Sequence, residues 1–184
     1  MSILKVNTIQ DKGGNTLLSS DGAGAISSGG LITNTPAFLA YRSASNQSIA
    51  DGAFAKIQFQ TVEYDTHSGY DNTTNYRYTI PSGQGGKYFI YTQALLDSGA
   101  STNMNYCHLV FYKNGSAVWV NHANWTANDI RSVSPLMSIA IDLNAGDYIE
   151  VFVIVNNNSG TPSVRYLEAG GSPTFFGAYK LIGA

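Results

Sequence analysis

The residues best suited to acid–base chemistry are few and scattered in this sequence. The three histidines, His67, His108 and His122, have no aspartate or glutamate at a recognisable catalytic spacing. No Gly-x-Ser-x-Gly motif is present to place a nucleophilic serine on a sharp turn. His108 follows Cys107 in an apolar alternation, which favours a structural role for it. The sequence therefore predicts a protein that is not an enzyme.

Calcium is the metal ion that the side chains are best suited to bind. Asp65, Asp71, Asp129 and Asp147 carry the carboxylate oxygens that calcium prefers. None of them lies in a group with the spacing of a calcium-binding loop, and Asp147 is explained by the Ala-Gly-Asp turn that it completes. We expect no cofactor and no metal, with calcium as the alternative.

Two polar stretches contain aromatic rings that could stack on sugars. The segment 119–129 places Trp119 and Trp125 among Asn, His and Asp side chains, which can hydrogen-bond to hydroxyl groups. The alternative is that Trp119 lies in the core and Trp125 packs a long loop. A second candidate is the Tyr-rich stretch 64–78. The predicted ligand contacts are Trp125, Asn124, His122, Tyr70 and Asn72.

Composition excludes several classes of partner. Charged residues make up only 12% of the 184 residues and the net charge is −2, without a basic run, so nucleic acid is not expected to bind. No apolar span is long enough to cross a membrane, and the N-terminus lacks the pattern of a signal peptide. We expect a chain made in the cytoplasm that does not insert into a membrane.

The chain divides by aromatic content into a leader and a head. Residues 1–37 contain no Phe, Tyr or Trp, and residues 19–30 are rich in Gly and Ser. Such a segment cannot bury enough surface to fold alone, so residues 1–35 are expected to be an extended leader for attachment or trimerisation. Pro36 begins the predicted head, residues 36–184.

The head is predicted to be all-β, because short apolar segments alternate with turn signals such as Asn114-Gly115. Cys107 excludes an internal disulfide and is expected to be buried. This pattern is typical of an antiparallel sandwich or jelly roll. The ten predicted strands lie at 37–42, 54–62, 75–80, 87–96, 106–113, 117–122, 136–143, 148–156, 163–167 and 174–182.

The strand 148–156 is apolar on both faces. Ile149, Val151 and Val153 alternate with the apolar residues Phe152 and Ile154, so one face can fill the core while the other forms an apolar stripe. Soluble monomers rarely leave such a stripe in water. The sequence therefore predicts that another copy of the chain covers it.

The ordered landmarks of the head resemble the globular C1q-like domain of the complement and tumour-necrosis-factor superfamily. The resemblance covers about residues 36–183, although Asn75 and a longer loop at 82–85 depart from the family pattern. The landmarks include Pro36-Ala37-Phe38, Tyr70-Asp71, Gly86-Lys87-Tyr88-Phe89-Ile90, Lys113-Asn114-Gly115, Gly146-Asp147 and Phe175-Phe176-Gly177.

This resemblance implies a ten-stranded jelly roll that assembles into a homotrimer. Some family members bind calcium near the trimer apex. In the family, strands equivalent to 87–96 and 148–156 line the threefold axis. The residues that this places at the axis are Phe89, Tyr91, Tyr148, Phe152 and Ile154.

The leader resembles the N-terminal segments of structural and tail-fibre proteins from marine and cyanobacterial phages. The residues that carry this likeness are Ser2–Gln10, followed by a Gly-Asn turn. We therefore expect a virion component, the tip of a tail fibre that binds a host glycan or receptor, with the leader joined to other virion proteins. Two alternatives stay open, a head fibre or capsid decoration protein and a bacterial cell-surface or secreted lectin.

Overall fold

The computed structural model describes residues 6–23, 26–28, 35–99, 102–166 and 172–182. It consists of two compact units, Met1–Thr35 and Pro36–Ala184, divided where the aromatic content of the sequence changes. Within the described ranges the chain forms strands and turns and no α-helix, as the alternation predicts. These ranges contain no helix that is long and apolar enough to span a membrane.

The first unit is a small antiparallel sheet of three strands, β1 (Thr8–Gln10), β2 (Thr16–Ser20) and β3 (Ile26–Ser28). The turn between β1 and β2 is held by Asp11, whose carboxylate accepts hydrogen bonds from the Asn15 amide N–H and side chain, both at 2.9 Å. The leader is therefore folded into a meander over this range, rather than simply extended.

The second unit, the head, contains fifteen strands in its described residues rather than ten. Predicted strands 54–62 and 87–96 each divide in two, and three further short strands appear at Gln47–Ser48, Tyr70–Asp71 and Ser132–Val133. In chain order they are β4 (Ala37–Tyr41), β5 (Gln47–Ser48), β6 (Ala55–Lys56), β7 (Thr61–Asp65), β8 (Tyr70–Asp71), β9 (Arg77–Thr79), β10 (Gly86–Gln93), β11 (Leu96–Asp97), β12 (Met104–Lys113), β13 (Ser116–Asn124), β14 (Ser132–Val133), β15 (Leu136–Leu143), β16 (Tyr148–Asn157), β17 (Ser163–Val164) and β18 (Phe175–Lys180).

Two antiparallel sheets form the head. The first has the strand order β15-β10-β18-β4-β7. The second has the order β13-β12-β16-β9-β8, with β6 also paired to β16. A smaller sheet, β14-β11-β17-β5, completes the head. Apart from the consecutive pairs β12–β13 and β8–β9, neighbours in the two main sheets are distant in sequence, so most of the fold is built from long-range crossovers, as in a jelly roll.

The core lies between the two main sheets and is filled by alternate residues of their strands. Tyr88 and Ile90 of β10 and Val151 and Val153 of β16 are fully buried, which confirms the predicted core face of the strand 148–156. Cys107 is also fully buried, as predicted, and burial raises the pKa of its thiol to about 12. The sheets therefore present two outward faces on opposite sides of the head.

Candidate functional site

The outward face of the first sheet is unusually rich in aromatic rings. Tyr88 and Ile90 point into the core, so Phe89 and Tyr91 between them point outward. The register places Tyr179 beside Phe89 and Gly177 beside Tyr91 on β18. Together these side chains form a surface that we call the aromatic face, which consists of Phe89, Tyr91, Phe175, Tyr179 and Tyr64.

The rings of the aromatic face contact one another as a continuous layer. The Phe89 centroid lies 5.4 Å from that of Tyr179 and 6.1 Å from that of Tyr91. Gly177 makes this possible, since a Cβ atom there would come within 2.5 Å of the Tyr91 ring. The layer is nonetheless accessible, because 42% of Tyr179 is exposed.

The five residues of the aromatic face carry no formal charge, and at one end of the face Lys87 pairs in register with Asp142. Burial, helped by a hydrogen bond with Tyr64, raises the pKa of Tyr91, so its phenol is neutral at physiological pH. A neutral aromatic surface of this kind is stabilised when a second surface covers it and excludes water. The aromatic face is therefore suited to protein association.

A second apolar surface runs along one edge of the sandwich. On β13, Val118, Trp119 and Val120 are all exposed, and on β15 so is Leu136. The two edge strands are linked by the Asn121 side chain, which donates a 3.0 Å hydrogen bond to the Leu136 carbonyl. We call the surface formed by Val118, Trp119, Val120 and Leu136 the sandwich edge.

The packing alternative places Trp119 in the core, but the residue is 51% exposed. It pairs with Phe111, which is fully buried, so it lies on the inward-pointing side of its strand. However, β13 is the terminal strand of its sheet, and the first sheet does not cover its end. Strand alternation gives the side on which a residue lies, but it does not say whether another sheet reaches that far.

The apolar stripe of β16 is covered by the chain itself. Tyr112 packs on Phe152 with ring centroids 4.2 Å apart, and the Lys56 ammonium lies 5.6 Å above the same ring. Arg77 covers Tyr148 at 4.2 Å, and only 9% of Ile154 is exposed. The stripe therefore does not by itself require a second copy, because neighbouring strands of the same chain already cover much of it.

The five predicted axis residues consequently do not share one surface. Phe89 and Tyr91 lie on the outward face of the first sheet, and Tyr148, Phe152 and Ile154 lie on the outward face of the second. The core separates the two sets. The prediction that all five residues line one axis is therefore corrected. Of the five, only Phe89 and Tyr91 belong to the aromatic face.

The outward face of the second sheet carries a row of three polar residues. Tyr106 of β12 pairs in register with Asn124 of β13 on one side and with Asn156 of β16 on the other. Asn105 extends the row by donating hydrogen bonds to the side chains of Asn156 at 3.2 Å and Asn158 at 3.0 Å. We call Asn124, Tyr106 and Asn156 the amide–tyrosine row.

No protein-family model matches this sequence, and no curated protein matches it. Solved structures do match it. The structure of Eiger TNF from S. frugiperda superposes with a TM-score of 0.57 at 17% identity, covering 82% of this chain and 96% of that one. The head has the TNF-like jelly-roll fold.

Two structures of murine APRIL also superpose on this chain. Its structure at pH 5.0 superposes with a TM-score of 0.53 at 14% identity, and its structure at pH 8.5 with a TM-score of 0.51 at 16% identity. In both cases the match covers 80% of this chain and 100% of that one. At such identity the likeness concerns the fold, and the binding residues have to be argued from this chain alone.

Within the TNF-like head, two predicted ligand contacts pack in or against the core. Tyr70 is only 8% exposed, stacks on Phe38 with ring centroids 5.1 Å apart, and donates its hydroxyl hydrogen to the Phe59 carbonyl. Trp125 packs its side chain against the core, as the loop-packing alternative predicts. The prediction that Tyr70 is an exposed contact is therefore corrected, because its ring is stabilised by burial, whereas the partly buried Trp125 stays a predicted contact.

The other three predicted contacts have different surroundings. The Asn72 side chain donates a 2.7 Å hydrogen bond to the Gln60 carbonyl and is held in place by it. Asn124 and His122 are exposed and lie near each other on β13. Tyr106, which adjoins both, was missed by sequence reasoning. Its alternation with the buried Cys107 was the available signal that it points outward.

The carboxylates considered for calcium are engaged in turns. Asp71 accepts hydrogen bonds from the amides of Thr73, Thr74 and Asn75, which holds the pKa of its carboxyl well below the usual range. Hydrogen bonds from Asn114, Asn144 and Lys113 lower the pKa of Asp147 to about 2. Across the described part of the chain, no three His, Cys, Asp or Glu side chains gather as a metal site.

Proposed function

We propose that this chain is a homotrimeric, non-enzymatic virion protein, the tip of a phage tail fibre whose head recognises a glycan on the host surface. The observation that carries the proposal is the pair of exposed apolar surfaces on the head, the aromatic face and the sandwich edge. The phage context comes from the likeness of the leader to phage fibre proteins.

The two surfaces favour a closed ring of copies. They are two distinct patches of one chain, so the sandwich edge of one copy can pack on the aromatic face of the next. An edge placed on the face of the next copy makes a head-to-tail contact, and such contacts form a ring when the rotation closes. A trimer is the ring that the C1q-like resemblance implies.

The amide–tyrosine row supports glycan binding. A sugar can stack on the half-buried Tyr106 ring while the flanking amides hydrogen-bond to its hydroxyl groups. The row contains no charged residue, so the binding should be weak per site and only slightly sensitive to salt. Three copies on one axis would raise the effective strength through avidity.

Replacing Tyr106 by alanine should abolish adsorption of the purified protein to host cells, with little change in melting temperature. The ring is only half-buried, so its loss removes the stacking surface without opening the core. Adsorption of labelled protein and binding to a glycan array measure the effect.

Two further variants test the chemistry of this contact. Tyr106→Phe keeps the ring and should keep most of the binding, and Asn128→Ala, at an exposed position in the next turn, should be neutral. If Tyr106→Ala adsorbs as well as the wild type, the glycan site lies elsewhere. If the wild type binds neither cells nor glycans, a capsid decoration role is favoured over recognition.

Deleting residues 1–35 should leave the head folded with nearly the same melting temperature. The leader forms its own compact unit and has few large apolar side chains to bury. Calorimetry of the truncated protein measures this, and assembly into particles should be lost because the leader is the proposed attachment. A truncated head that is unfolded or monomeric would make the leader the trimerisation element.

A further inference from the structure

Two of the three histidines, 14 residues apart in sequence, are brought together on the outward face of the second sheet. His108 of β12 and His122 of β13 are direct partners in the antiparallel register. Their ring centroids lie 4.4 Å apart, and Tyr106 flanks both rings. The sequence indicated no such pair, because it depends on the register of the β12–β13 hairpin.

The ring nitrogens of this pair are available to bind a ligand. Neither imidazole forms a hydrogen bond or an ion pair with any described residue. His122 is exposed and His108 is half-buried, so a solvated ion can reach them from one side. Partial burial, with a smaller contribution from the proximity of His122, lowers the pKa of His108.

The spacing of the rings suits one bridging ion. For adjacent ligands about 90° apart on an octahedral ion, with metal–nitrogen bonds of about 2.1 Å, two ligand nitrogens lie about 3.0 Å apart. Imidazole rings with centroids 4.4 Å apart can bring one nitrogen each to that separation by turning about χ2, which is a soft torsion in histidine. The strands themselves need not move.

We propose that His108 and His122 form a binding site for one borderline divalent transition-metal ion, of the zinc, nickel and copper class. Imidazole is a preferred ligand for these ions, and carboxylate-preferring calcium and magnesium would not bind here. The two rings supply two ligands, and water holds the remaining positions. The site adjoins the proposed glycan site, because Tyr106 contacts both rings, but the metal-binding test does not require that a glycan binds.

The test is to titrate the untagged full-length protein with nickel chloride at pH 7.5 and to measure binding by isothermal titration calorimetry. We expect one nickel ion per chain, with affinity reduced about tenfold or more in His108→Gln and in His122→Gln, because each loses one of two ligands. The matched control is His67→Gln, which removes the remaining histidine and should bind nickel like the wild type.

A second measurement does not depend on the variants folding. In the NMR spectrum of the wild-type protein, substoichiometric nickel should broaden the ring signals of His108 and His122 and leave those of His67 sharp. Equal affinities in all three variants, broadening of all three histidines alike, or no binding at millimolar nickel would each overturn the proposal.

Discussion

Replacing Phe89 by aspartate should convert the proposed trimer into folded monomers. In the trimer, three copies of this side chain would be covered by neighbouring heads. An unpaired carboxylate in such a setting costs several kcal/mol per copy, about 3 to 5 on the scale of broken buried ion pairs. Because Phe89 points away from the core of its own chain, the monomer should remain folded. Light scattering combined with size-exclusion chromatography measures the mass, and circular dichroism verifies the fold.

The matched control is Phe152→Asp, on the opposite outward face. This ring packs on Tyr112 within the same chain, and the new carboxylate would lie near Glu150 on the same face. The variant should therefore melt at a lower temperature but keep the mass of the wild type. A monomeric Phe152→Asp beside a trimeric Phe89→Asp would place the axis on β16 after all. A monomeric wild type would refute the trimer itself.

Replacing Phe38 by alanine should lower the free energy of unfolding of the head by about 3 to 5 kcal/mol, the usual cost of removing a buried ring. Phe38 is fully buried and stacks on Tyr78 with ring centroids 4.2 Å apart. It also meets Phe176 edge-on at 4.9 Å, so it joins strands from both main sheets. Urea denaturation followed by tryptophan fluorescence measures the loss.

Phe54→Ala serves as the control for this experiment, because 52% of Phe54 is exposed. Its loss should cost about 1 kcal/mol, since only about half of the residue leaves water on folding. Equal effects from the two substitutions would show that the buried ring cluster around Phe38 stabilises the head no more than an exposed ring does.

Most of what the sequence could determine came from the alternation of inward and outward side chains along single strands. The pattern of Ile149, Val151 and Val153 predicted the core face of β16, and the apolar surroundings of Cys107 predicted its burial. Both succeed because side chains on a strand alternate strictly, so neighbours in sequence establish which residues share a face. The boundary between the two compact units lies close to Phe38, the first aromatic residue of the sequence.

Only the tertiary structure decided what lies against each face. Whether Phe152 is covered by a second copy or by Tyr112 depends on the pairing of β12 with β16, strands that lie some 40 residues apart. The same holds for Trp119, exposed because its strand ends the sheet, and for His108 and His122, joined by the register of one hairpin. A sequence gives the side to which a residue points, whereas burial and neighbours come from distant strands that pack only in the folded chain.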